Sequence, residues 1–238
     1  MRKSLDAFLK MKPGVVIDVG ANIGIYLVNL RTIEKDRPYY GFEPSPAGFF
    51  YLHELIRLNR FHNSYVFPFA LSDDKTVRTL FAGKRGDSGA SMHEFIKSDE
   101  DFSVQMLTFR GDEIVESLCL KELAAIKIDV EGAELEVLNG LQATVEKHRP
   151  FLYCEIWPLP DSHAPLYDEK KRRLTEIYHL LADMDYAVLG VGRQDGWEQL
   201  RAIEDFGDPY SSEYVCSPSE SAQKLIQELS QKWMSLAD

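Results

Sequence analysis

Three cysteines are too few and too scattered to staple this chain. Cys119, Cys154 and Cys216 form no CxxC pair and each stands in an apolar stretch, which argues against a disulfide framework or zinc ribbon and predicts buried, reduced thiols. Long apolar runs are missing too: nowhere do the roughly 18 residues needed to cross a bilayer occur together. The opening Met1-Arg2-Lys3-Ser4-Leu5-Asp6 turns charged again before any apolar run could act as a signal peptide, so no membrane span and a cytoplasmic location are expected. Basic residues are also short, 27 Lys and Arg against 38 Asp and Glu, for a net charge of −11. A polyanion would meet repulsion, and nucleic acid is not an expected partner. What is present is ordinary globular material, 238 residues with 45% hydrophobic and 27% charged, the size of one large domain spanning residues 1–238.

Short runs rich in Val, Ile, Phe and Tyr recur at residues 15–19, 39–42, 65–69, 125–130 and 151–156, and they predict buried strands. Stretches of helical length separate most of them, at residues 24–34, 47–59 and 133–148, the last with Leu135, Leu138, Leu141 and Val145 on one face. Strands that are apolar throughout are covered on both faces, which predicts an α/β fold with a doubly wound, mostly parallel sheet. Further strands at 186–191 and 214–216 are expected to extend one edge. Two polar, glycine-containing segments, residues 83–102 and 192–212, are longer than ordinary connections and are expected to wall the acceptor site, with Lys84, Arg85, Arg193 and Trp197 available for contact. The run Glu169-Lys170-Lys171-Arg172-Arg173 reads as the solvated face of a helix. From Ser217, a capping residue, and Pro218 at the first helical position, residues 218–236 predict a terminal amphipathic helix carrying Leu225, Leu229 and Trp233. It packs on its own domain or on a second subunit, which leaves a homo-oligomer open.

The first strand stops in a glycine turn, Asp18-Val19-Gly20-Ala21-Asn22-Ile23-Gly24, and opens a helix, the place where α/β sheets bind ligands beyond their carboxyl ends. Gly20 lets a ligand approach the backbone, Asn22 tolerates a left-handed conformation, and Gly24 brings the helix close to the strand. The dinucleotide pattern G-x-G-x-x-G is not met, because its last glycine would fall on Ile25, and no P-loop lysine follows. Asp18 suits a ligand bearing an ammonium group beside its carboxylate, as the amino-acid end of S-adenosylmethionine does. Glu43 ends the second strand, nineteen residues beyond Gly24, the spacing at which an acid accepts both ribose hydroxyls. After the third strand, Ala70, Leu71 and Asp73 are placed to hold an adenine ring.

Acids then gather where a buried strand should end: Asp129, Glu131, Glu134 and Glu136. Alternation along the strand points Asp129 and Glu131 into one cavity, whereas Glu134 and Glu136 suit a helix N-terminus. Glu155 closes the next strand and His163 lies in the loop beyond it. Glu155 is either a site carboxylate or the partner of Lys127 in a buried ion pair.

Taken together, the 18–24 glycine turn, Phe42-Glu43-Pro44-Ser45-Pro46, Ala70-Leu71-Ser72-Asp73, Lys127-Ile128-Asp129-Val130-Glu131-Gly132-Ala133-Glu134 and Cys154-Glu155-Ile156 resemble the FkbM family of S-adenosylmethionine-dependent methyltransferases. The resemblance covers about residues 15–157 and departs at Thr108-Phe109-Arg110-Gly111-Asp112, where the role of Asp112 stays open. It implies a Rossmann-like class I sheet of seven strands with the last antiparallel. It also implies S-adenosylmethionine at Asp18, Gly20, Asn22, Gly24, Glu43, Ser45, Ala70, Leu71, Asp73 and Asp129, and O-methylation of a small-molecule or glycan acceptor, a sugar, lipid-linked glycan or polyketide. The proton of the acceptor hydroxyl would go to Glu131, Glu155 or His163. Hard cations collect carboxylates, yet no spacing here demands a metal. Two rivals remain, a nicotinamide-dependent oxidoreductase on the same sheet and a binding module that holds the cofactor without turnover.

Overall fold

The computed structural model describes residues 1–82, 102–156, 159, 162–163, 166–191, 197–201 and 212–234. In chain order the elements are α1 (Arg2–Met11), β1 (Val15–Val19), α2 (Ile25–Ile33), β2 (Tyr39–Phe42), α3 (Pro46–Asn59), β3 (Ser64–Phe67), β4 (Ala70–Ser72), β5 (Thr76–Ala82), β6 (Phe102–Arg110) and α4 (Gly111–Ser117). There follow β7 (Leu123–Ile128), α5 (Glu134–Gly140), α6 (Gln142–His148), β8 (Phe151–Glu155), α7 (Tyr167–Asp183), β9 (Tyr186–Val191), β10 (Trp197–Gln199), β11 (Glu213–Pro218) and α8 (Ser219–Met234).

Among the described residues the main sheet has eight strands in the order β3-β2-β1-β7-β8-β11-β9-β10. Pairing is parallel from β3 through β8, and β11 runs antiparallel to both of its neighbours. The expected seven strands with an antiparallel last one are thus present, with β10 added outside β9. The expectation that residues 214–216 extend an edge is corrected, because β11 inserts between β8 and β9.

Every residue of β1 and β7 is buried. Val15, Ile17 and Val19 join a core with Leu138, Leu141, Val145, Leu174 and Ile177 from α5, α6 and α7, while Val16 packs with Leu5, Leu27 and Leu30 of α1 and α2. Alternate residues of one strand therefore serve two helical layers, which is why the strand is apolar throughout. On the second layer Leu225 and Leu229 of α8 meet Phe8, Phe151 and Val215, so α8 packs on its own domain. It begins at Ser219: Pro218 is still in β11, and the Ser217 hydroxyl donates to Pro218 O at 3.0 Å instead of capping a helix. The Trp233 side chain falls outside the described residues.

The 65–69 run is split. Pro68 has no N–H to continue a ladder, so β3 ends at Phe67 and the chain re-enters as β4 in a second sheet of order β4-β6-β5. The Phe42, Phe67, Phe69 and Phe109 rings, 4.7 to 5.7 Å apart in successive contacts, tie the two sheets together. The 133–148 helix is also split, at Leu141. Gly140 is the last residue of α5, and a Cβ there would lie 1.9 Å from Ser72 O, so only glycine lets α5 approach β4 this closely. Asp112 gains its role here: its carboxylate accepts the Thr144 and Ala143 N–H groups at 2.8 and 3.2 Å and caps α6. Of the three cysteines, Cys154 and Cys216 are buried thiols, but Cys119 is exposed in a left-handed turn at φ 50°, against expectation. In the 169–173 run, Arg172 is solvated and pairs with Glu169 and Glu176, whereas Arg173 turns inward to Glu136 and Gly132 O.

Candidate active site

A cavity of about 550 Å³ opens beyond the carboxyl ends of β1, β2, β7 and β8. Its floor is the glycine turn. Gly20 adopts φ 76°, and a Cβ there would sit 1.9 Å from Asp129 O, so only glycine lets the β1 and β7 loops meet this closely. Asn22 takes φ 46° and Gly24 φ 92°, and Gly24 stands at the N-cap of α2. Glu43 spans two loops: one carboxylate oxygen accepts the Asn22 N–H at 2.7 Å and the other accepts the Ser45 N–H at 2.8 Å. Burial pushes its pKa up and these two backbone bonds pull it back. The Ser45 hydroxyl accepts the Gly48 N–H at 3.4 Å and starts α3.

Beneath this floor lies a buried charge network. Lys127 Nζ stands 3.2 Å from Asp18 Oδ1 and 3.1 Å from Asp129 Oδ2, and donates to Gly20 O at 2.6 Å. The other oxygen of Asp18 accepts the Tyr39 hydroxyl at 2.6 Å. Asp18 and Lys127 are register partners on adjacent parallel strands, which puts both side chains on the α1–α2 face. Burial raises the pKa of Asp18, opposed by Lys127 and then Tyr39; Lys127 is raised because its two carboxylates outweigh its own desolvation.

Asp129, Glu131 and Glu155 line the cavity on its other flank. The reason differs from strand alternation, because β7 ends at Ile128 and Glu131 is turned in by a left-handed backbone, φ 53°, followed by Gly132 at φ 103°. Glu155, at the end of β8, is half-buried and accepts the Ser212 hydroxyl at 3.3 Å. Desolvation first, and then the negative charges of Asp129 and Glu213, push its pKa upward.

Residues 18–201 match the methyltransferase FkbM domain. The chain belongs to the FkbM methyltransferase family. It is 32% identical over 184 residues to the hexuronic acid methyltransferase AglP of Haloferax volcanii, covering 73% of this chain and 69% of that one. To the 31-O-demethyl-FK506 methyltransferase FkbM of Streptomyces tacrolimicus it is 28% identical over 162 residues, 56% of this chain and 62% of that protein. In fold it resembles the crystal structure of methyltransferase FkbM from Methylobacillus flagellatus KT, with a TM-score of 0.53, 17% identity and 86% of this chain covered, although the chain spans only 43% of that protein.

Seven of the ten residues expected around the cofactor in this FkbM-family chain line the cavity: Gly20, Asn22, Glu43, Ser45, Ala70, Leu71 and Asp129. Three do not. Asp18 has no exposed surface and lies beneath the floor, one oxygen accepting the Tyr39 hydroxyl and the other 3.2 Å from Lys127 Nζ. Gly24 is set back under Leu52 and Leu55 of α3, and Asp73 lies beyond β4, 3.2 Å from the Ser72 hydroxyl and 3.7 Å from Arg78. Among the candidates for the base, Glu131 and Glu155 are in the cavity; His163 is exposed beside Ser162, outside its lining. Lys127 pairs with Asp18 and Asp129 rather than with Glu155. Most of the two long acceptor-side segments lies outside the described residues. Among the described residues no three His, Cys, Asp or Glu side chains assemble as a metal site, and no helix is long and apolar enough to cross a membrane.

Sequence reading missed Tyr26, Leu80 and Met106 in the lining, and the part Lys127 plays there. For Lys127 a signal existed: a lysine between two isoleucines of a buried strand needs an acid, and Asp18 is the acid inside another such strand. Nothing in sequence marks Leu80 and Met106, which arrive from the second sheet.

Glu134 yields a pH prediction. It is buried, accepts the Gly132 N–H at 2.9 Å and so shapes the 129–132 loop; desolvation raises its pKa from an ordinary 4.5 to about 7. The folded chain keeps a proton that the unfolded chain has lost, so the stability tied to this proton is full below pH 4.5 and is lost as pH rises through about 7. The loss amounts to about 3 kcal/mol. Glu134→Gln keeps the acceptor for Gly132 and should flatten that decline; urea midpoints at pH 5 and pH 8 that fall apart as far as in the wild type would refute it.

Proposed function

We propose that this chain transfers a methyl group from S-adenosylmethionine to a hydroxyl oxygen of a sugar, glycan or polyketide-type acceptor. The supporting observation is Glu43, fixed at the cavity wall by one backbone N–H on each oxygen. Each oxygen keeps lone-pair capacity for a ribose hydroxyl. The remaining lining fits the same ligand: Ala70, Leu71, Leu80 and Met106 form an apolar wall for a planar base, and Asp129 supplies a carboxylate for an ammonium group. S-adenosylmethionine contributes a methyl group already activated on a sulfonium.

The protein's own contribution is position and proton transfer. The tight junction of Gly20 with Asp129 holds the two loops rigidly, and holding reactants in line can supply about 7–11 kcal/mol. Glu155, a half-buried cavity carboxylate whose pKa desolvation and then the charge of Asp129 raise, takes the hydroxyl proton of the acceptor, with Glu131 the alternative carboxylate. The names of the relatives support an oxygen acceptor of this class: one is called a hexuronic acid methyltransferase, the other acts on 31-O-demethyl-FK506. With a net charge of −11 the reading includes no nucleic acid partner.

A ligand panel tests the reading. S-adenosylhomocysteine should raise the melting temperature and NAD should not. Glu43→Ala, which removes hydrogen bonds to a charged group, should weaken S-adenosylhomocysteine about 10- to 100-fold by calorimetry. Stabilisation by NAD alone, or wild-type affinity in the variant, would defeat the proposal.

A further inference from the structure

The loop beyond β7 that carries Asp129 and Glu131 to the cavity is held at its two ends by different groups. At the near end the Asp129 N–H donates to Val19 O at 3.1 Å, and the Asp129 carboxylate stands 3.1 Å from Lys127 Nζ. At the far end Glu131 and Gly132 follow each other in left-handed conformations, φ 53° and 103°. A left-handed glutamate persists only where the surrounding contacts determine it. Two such contacts converge on Gly132: its N–H donates to Glu134 Oε1 at 2.9 Å, and its carbonyl accepts from Arg173 Nη2 at 2.9 Å.

Arg173 reaches this carbonyl from α7, 41 residues further along the chain, and is not among the described residues that line the cavity. Its guanidinium is aimed by Glu136 of α5, whose two oxygens each accept from one of its terminal nitrogens. Both side chains are mostly buried, 13% and 17% exposed, so water competes little for the pair. A planar fork seated on one carboxylate has the direction of its remaining N–H groups set in advance. The charge balance points the same way. Asp129, Glu131, Glu134 and Glu136 put four carboxylates into one short stretch, which repels itself unless cations intervene. Lys127 answers this charge at the β7 end and Arg173 at the α5 end. Each also holds a backbone carbonyl, Gly20 O for the lysine and Gly132 O for the arginine.

We propose that Arg173 is a positioning residue: by fastening Gly132 O to Glu136 it holds the left-handed turn that presents the Glu131 carboxylate to the cavity. Its meaning for turnover rests on the methyltransferase reading, whereas the positioning is a property of the chain alone.

The test is Arg173→Met, which removes the fork and keeps most of the aliphatic stem. Amide exchange resolved by NMR on the full chain should quicken about 10- to 100-fold at Gly132 and Ala133, as expected for losing a hydrogen bond from a charged donor. Asp129 and the α7 amides should exchange as in the wild type. The affinity for S-adenosylhomocysteine should stay within about twofold, because Glu43 and Asp129 keep their own anchors. With methyl glucuronide as the acceptor probe, Arg173→Met should change kcat by the same factor as Glu131→Gln and add nothing to it in the double variant. Arg173→Lys keeps the charge beside Glu136 without the fork; it should show the same local exchange, and it carries the test should the methionine variant not fold. Unchanged exchange at Gly132, equal acceleration along α7, or an effect on kcat that adds to that of Glu131→Gln would each overturn the inference, the second by showing that Arg173 only packs α7 on α5. A wild type that binds no S-adenosylhomocysteine would bring down the cofactor reading and leave the exchange rates to decide the positioning.

Discussion

Lys127→Met should be the most destabilising single change at the floor of the cavity, at about 3–5 kcal/mol. The lysine is 3% exposed and its removal leaves Asp18, with no exposed surface, holding only the Tyr39 hydroxyl. An uncompensated buried carboxylate must protonate or destabilise the fold, whereas Asp129, partly exposed, can fall back on water. In a chain of this length about 1 kcal/mol moves the melting temperature by roughly 2–4 °C, so a fall on the order of 10 °C is expected. Adding Asp18→Asn to Lys127→Met should restore part of the loss, because the charge that lacked a partner is removed as well; the pair would show strong coupling in a double-mutant cycle. Urea unfolding of the four proteins measures it. A Lys127→Met protein within 1 kcal/mol of wild type, or a double variant less stable than either single one, would show that the network does not stabilise the floor.

That network also shows how far sequence could carry the reading. The strands at 15–19 and 39–42 appear with those limits, because an unbroken apolar run has one stable home, a sheet covered on both faces. The glycine turn and Glu43 were legible since each is a local requirement, a backbone that only glycine can follow or an acid at a fixed distance beyond it. What was not legible depends on partners distant in sequence. Asp18 reads as a ligand contact until its register partner Lys127 is known, 109 residues on. Glu131 and Asp129 share the cavity through a left-handed residue and not through strand alternation. Tyr26 looks like any aromatic on a helix, and only its burial with no hydrogen-bond partner among the described residues distinguishes it. The placing of β11 between β8 and β9 reverses the order of the chain and leaves no mark in composition.

Glu155→Gln should lower kcat by about 10²–10⁴-fold with a sugar or polyketide hydroxyl acceptor, while S-adenosylhomocysteine binds as in the wild type. The substitution keeps an acceptor for the Ser212 hydroxyl and removes the ability to take a proton. Its pH profile carries the stronger test. The Glu155 pKa lies above that of an ordinary carboxylate, through desolvation and then the charge of Asp129, so wild-type activity should fall as pH drops through that raised value, at a higher pH than an unperturbed glutamate would give. Asp129→Asn removes the negative charge that raises the Glu155 pKa most and should move that acid limb downward. Glu131→Gln separates the two carboxylates. If Glu155 is the base, Glu131→Gln retains the acid limb and most of kcat; if the limb disappears in Glu131→Gln and survives in Glu155→Gln, the proton goes to Glu131. An acid limb untouched by either change would remove both from proton transfer and leave positioning against the cofactor as the main catalytic contribution of the cavity.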